Sequence, residues 1–102
     1  MIKVNVKKNN HKIDMINIKG HANYDEYGKD IVCAAVSSTV ITTVNNILSL
    51  DKTIEHIQEK DNLIIKVIKE DNNTYKILDN MILMLYELES DYPKYIKIFE
   101  EV

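Results

Sequence analysis

Two glycines serve the whole chain, and both fall in one stretch, between the residues that flank His21 and the single cysteine, Cys33. Gly20 precedes His21, Gly28 lies near the far end, and Asp30 follows two residues later. Glycine lets the backbone take left-handed conformations, or lets another backbone come close. Placed on either side of a histidine and ahead of the one thiol, the pair marks a loop that shapes a site. Turns elsewhere fall to Asn and Asp: Asn9-Asn10, Asp61-Asn62 and Asp71-Asn72-Asn73.

Those turns divide the chain into alternating periods. Ile2, Val4 and Val6 alternate with Lys3, Asn5 and Lys7, the period-2 pattern of a half-buried strand. Ile13, Met15, Ile16 and Ile18 follow, with a slip of phase between Met15 and Ile16 that predicts a bulge or a strand covered on both faces. The two strands should pair as a hairpin. Asp30 is placed to cap a helix running from Ile31 to about Leu50, where Cys33, Val36, Ser37, Val40, Val44, Ile47 and Leu48 recur at helical spacing. Its length argues against a strand, despite its Val, Ile and Thr content. Thr53–Glu59 reads as a weaker strand, and Leu63–Ile68 as a strong, central one. Ile77, Leu78, Met81, Ile82, Leu85 and Leu88 mark a second amphipathic helix, which must stop before Pro93. Tyr95–Phe99 supplies a last strand. The order ββα-ββα-β predicts an α+β fold: a two-layer sandwich with a mostly antiparallel sheet and two helices on one face.

At 102 residues the chain is expected to form a single domain, residues 1–102, with one core and no staples. A lone cysteine excludes an internal disulfide and suits a reducing, cytoplasmic setting. The formal net charge of −3, with no basic stripe, argues against a nucleic-acid partner. Ile31–Leu50 is the most apolar stretch, but its Ser, Thr and Asn residues make it a poor membrane span.

With a helix starting at Ile31, Cys33 lies in its first turn, at the positive end of the macrodipole. Free amides there would favour a thiolate and hold an oxyanion. His21 enters from the preceding strand, and the loop can return its imidazole to the sulfur. Such a Cys–His pair is the minimum for covalent acyl transfer. Asp30 has two readings: orienting His21, or capping the helix, where its negative charge works against a thiolate. Ser37, one turn beyond Cys33, can face the site or bond back to a helix carbonyl. Against the catalytic reading, a cysteine inside Ile-Val-Cys-Ala-Ala-Val also suits a small core position. His11 and His56 read as surface residues, Met81 and Met84 as core, and no convincing metal site emerges.

Gly20-His21-Ala22 followed by Gly28-Lys29-Asp30-Ile31-Val32-Cys33-Ala34-Ala35-Val36-Ser37 closely resembles the signature of the bacterial ribosomal-processing cysteine protease family (Prp). The resemblance spans the chain in length and pattern. It implies an endopeptidase that removes a short N-terminal extension from ribosomal protein L27, acts as a homodimer and needs no cofactor. On the matching positions, it makes Cys33 the nucleophile and His21 the general base and acid, with Asp30 and Ser37 in support. It makes Gly20 and Gly28 the mobile points of a loop over the peptide. That loop, with Ala22, Tyr24, Asp25, Glu26 and Tyr27, is the expected substrate contact. Asp25, Glu26 and Asp30 would give it an acidic rim suited to a basic ribosomal protein. Tyr24 and Tyr27 can face the peptide or shield the loop base. The rival reading is a non-catalytic, ribosome-associated binding module with a structural Cys33; a single-thiol redox sensor is a third.

Overall fold

In β1 (Ile2–Asn9) the alternation becomes two unlike sheet faces, with Ile2, Val4 and Val6 buried and Lys3, Asn5 and Lys7 exposed. The computed structural model describes residues 1–102. Asn10 and His11, at φ +52° and +65°, form the turn into β2 (Lys12–Lys19). Positive φ at both central residues matches the twist of a two-residue hairpin. Lys7 pairs with Met15 while Lys8 pairs with Ile13, so Asp14 is an extra residue in β2. This bulge is the slip of phase in the sequence. It carries Ile13, Ile16 and Ile18 all into the core although their spacing is uneven.

The remaining elements are α1 (Ile31–Leu50), β3 (Ile54–Glu59), β4 (Asn62–Val67), α2 (Asn72–Asp91) and β5 (Ile96–Glu101). The sheet order is β3-β4-β2-β1-β5. β5 runs parallel to β1; the other three pairings are antiparallel. Both helices lie on the face that buries Val4, Val6, Ile16 and Ile65, and together they close a core of 20 residues. The fold is therefore the expected α+β sandwich.

β4 is the interior strand that its apolar run predicts, flanked by β3 and β2. β2 is the middle strand of the five, because the two hairpins join through β2 and β4, and β5 adds beyond β1. The apolar run of β4 reflects strands on both its sides: Ile65 is buried, while Leu63 and Ile64 remain half-buried. Met81 is core, but Met84 is 48% exposed.

Along α1 the buried stripe is Val32, Val36, Val40, Thr43, Val44 and Ile47. It begins at Val32, one residue before the expected Cys33. A helix turns about 100° per residue, so this small change of phase moves Cys33 and Ser37 to the flank. By length and hydropathy alone α1 is apolar enough to cross a membrane. Here its apolar stripe packs against the sheet.

Candidate active site

The loop meets α1 at Asp30, whose carboxylate joins four backbone amides. Oδ1 accepts from Val32 and Cys33, each at 3.0 Å. Oδ2 accepts from Tyr24 at 2.9 Å and Asp25 at 3.4 Å. Asp30 is buried. Burial alone would raise its carboxyl pKa, but the amides of Cys33, Tyr24, Asp25 and Val32 outweigh that and hold it below the usual carboxylate range. Asp30 is thus the helix cap and the tether of the loop, not part of an exposed acidic rim. This also changes the oxyanion expectation. Val32 and Cys33 donate to the Asp30 side chain and Ala34 to its carbonyl at 3.0 Å. Of the amides expected to be free at the helix start, those of Val32, Cys33 and Ala34 are already occupied.

Cys33 is half-buried and unpaired with any other cysteine. The Ala22 N–H donates to its Sγ at 3.4 Å. Ala22 itself is buried, so its methyl packs in the core and only its amide reaches the sulfur. The peptide that links His21 to Ala22 therefore lies against the thiol.

The His21 imidazole is half-exposed, and its Nε2 stands 2.7 Å from Oδ1 of Asp61 in the β3–β4 turn. No hydrogen bond joins it to Cys33. The carbonyl of Asp61 also accepts the Gly20 N–H at 3.0 Å. Gly20 has φ +92°, and a Cβ there would stand 2.5 Å from the Met1 carbonyl oxygen. Close backbone approach and positive φ both require glycine at this point. Gly20 is accordingly fixed on two sides rather than a free hinge. Gly28, at φ +84°, has open space around it.

His21, Cys33, Ser37 and Asp61 line one open groove of about 770 Å³. Its apolar lining includes Ile18, Val36, Val40, Ile41 and Leu63. Asp25, Glu59 and Asp61 supply acidic side chains, and Tyr27, almost fully exposed, stands at its edge. Ser37 is exposed on α1 and makes no back-bond of the kind Thr43 and Ser49 make to Thr39 and Asn46. Tyr24 is placed elsewhere: its ring meets those of Tyr92 and Tyr95 edge-on, at 5.5 and 5.0 Å between centroids. It shields the loop base. Glu26 is not in the groove lining; its carboxylate lies 3.7 Å from Lys29. Glu59 and Asp61 line the groove without a sequence signal for it: Glu59 reads as the end of a strand and Asp61 as a turn residue. No cluster of three or more His, Cys, Asp or Glu side chains is arranged to hold a metal ion.

Residues 1–97 match the family described as cysteine protease Prp. The ribosomal processing cysteine protease Prp of Staphylococcus aureus is 32% identical, over 96% of this chain and 97% of that protein. Its namesake in Mycoplasma genitalium is 34% identical, over 99% and 97%. The crystal structure of the S. aureus protease with a covalently linked product peptide superimposes with a TM-score of 0.95 at 27% identity, covering 99% of this chain and all of that one. A complex of the same protease with a substrate peptide gives a TM-score of 0.88 at 26% identity.

Proposed function

The chain belongs to the cysteine protease Prp family, and from that premise we propose that it removes an N-terminal extension from ribosomal protein L27 through Cys33 and His21. The observation that carries this reading is the Ala22 amide on the Cys33 sulfur. It sets the backbone of His21 against the thiol, inside a groove open to a peptide.

His21 takes the thiol proton, and the Cys33 sulfur attacks the scissile carbonyl carbon. A C–S bond forms, and the carbonyl π electrons move to oxygen. We assign the Ala22 N–H, already directed at the sulfur, as a donor to the developing oxyanion. The protonated imidazole then delivers its proton to the leaving amine as the C–N bond breaks. Water, losing a proton to His21, attacks the thioester, and C–S cleavage releases the carboxylate product and restores the thiol. The apolar lining suits side chains of an extended peptide. Asp25 and Glu59 complement a basic substrate.

The test is incubation with the L27 precursor encoded by the same genome, reading product masses. Loss of an N-terminal segment is the expected result; an intact precursor would reject the assignment.

We propose further that two copies pair through α1. From Ile31 to Leu50 the helix carries no Asp, Glu, Lys or Arg, in a chain with 13 basic and 16 acidic residues. Its outward side carries Thr42 and Asn45. Interface centres are depleted of charge, and an uncharged face meets its own copy without like-charge repulsion. Sedimentation equilibrium should return twice the 11.9 kDa chain mass. Asn45→Lys should lower it toward the monomer, whereas a monomeric parent protein excludes the pairing.

A further inference from the structure

We propose that Asp61 is the positioning residue for His21, holding the far nitrogen of the imidazole so that the near one serves the sulfur. This rests on the dyad reading above and extends it to a third side chain. Nε2 is the ring nitrogen more distant from the backbone, and it is the one Asp61 holds, at 2.7 Å. Nδ1 is left unengaged, and it is the nitrogen nearer the main chain. The sulfur lies at that same main chain, 3.4 Å from the Ala22 nitrogen. An imidazole anchored through Nε2 therefore has Nδ1 as its free base. A carboxylate on the second nitrogen selects the ring tautomer and steadies the imidazolium formed when the thiol proton arrives.

The turn is built to hold that carboxylate in place. Asp61 has φ +61°, a conformation that Asp and Asn tolerate better than most side chains. Its carbonyl accepts the Gly20 N–H at 3.0 Å, directly before the histidine. Gly20 is in turn pressed against the Met1 carbonyl. Backbone and side chain of one residue thus secure both ends of the Gly20-His21 unit. Asp30 does not share this role, because its two oxygens are occupied by amides. Asp25 and Glu59 line the groove, but neither pairs with the imidazole.

The test uses Asp61→Gly and Asp61→Asn, alone and combined with His21→Ala. Glycine removes the side chain yet accepts positive φ; asparagine keeps the turn and removes the charge. Both leave a residue 61 carbonyl for the Gly20 N–H. The substrate is a synthetic peptide spanning the L27 precursor N-terminus, and melting temperature monitors folding. In the protein with His21, Asp61→Gly should lower kcat by about 10-fold to 10²-fold, a part of the 10²- to 10⁴-fold range of general acid–base catalysis. KM should stay within about twofold, and Asp61→Asn should fall between. With His21→Ala already present, neither substitution should alter the residual rate, the signature of residues that act as a unit. The inference is overturned by an unchanged kcat, by a loss confined to KM, or by a loss that persists without His21. An increase in kcat also overturns it, since Asp61 would then restrain the histidine. If the unmodified protein leaves the peptide intact, or His21→Ala cuts as fast as the parent, the dyad reading fails first, and the positioning role with it.

Discussion

Cys33→Ala is expected to lower peptide cleavage by about 10⁴-fold or more, because it removes the sulfur that forms the acyl intermediate. His21→Ala should lower it by a comparable factor, and the double variant should be no worse than either alone. Nucleophile and base act in one step, so their losses do not add. Single-turnover cleavage of the precursor peptide measures all three. Folding should be nearly unaffected, since Cys33 is half-buried and already on the flank of the helix. A Cys33→Ala protein that still cuts would remove the thiol from the mechanism. Thiol alkylation supplies an independent check. A catalytic Cys33 reacts quickly near neutral pH in the folded protein, whereas a packing cysteine of a binding module reacts only on unfolding.

Asp30→Ala should produce the largest loss of stability of any single change at the site. It leaves the amides of Tyr24, Asp25, Val32 and Cys33 without their acceptor. A lost N-cap costs about 1–2 kcal/mol, and each further unmet amide about 1 kcal/mol. The sum is on the order of 3 kcal/mol, or roughly 15 °C in melting temperature for a domain of this size. Cleavage should fall as well, because the same bonds fix the loop that carries His21. Asp30→Asn should cost less, because the amide oxygen still caps, and it also exposes the pH dependence. The carboxyl pKa of Asp30 is lowered on folding. Its contribution is therefore present above the unfolded-state pKa and lost as pH falls through the folded one. The stability gap between parent and Asp30→Asn should be constant near neutrality and narrow below the ordinary carboxylate range. Thermal melts across that range decide it; a gap independent of pH would show that the charge of Asp30 contributes nothing.

Local contacts around the groove are legible in the sequence, whereas legibility has a limit set by distance along the chain. Asp30 lies within three residues of Val32 and Cys33, so a cap could be read from spacing. That limit is passed where the partner arrives through the sheet. Asp61 reaches His21 because Lys19 pairs with Asn62 at the ends of β2 and β4. Tyr24 turns from the groove because Tyr92 and Tyr95, from the far end of the chain, offer it two ring edges. The oxyanion expectation failed for a subtler reason: the cap that starts the helix also consumes its first amides.

The amino-acid order alone determined the elements of this protein. Period 2 made strands, a 3.6 period with a capping aspartate made α1, and the confinement of glycine to one stretch marked the loop that borders the groove. These signals are local, because hydrogen bonding and side-chain direction within an element depend on near neighbours. Tertiary structure alone decided the strand order, the parallel docking of β5, the pairing of His21 with Asp61 and the rotation that leaves Cys33 at the groove. Each depends on which apolar faces meet across the core, and that is settled by the burial of the whole chain at once.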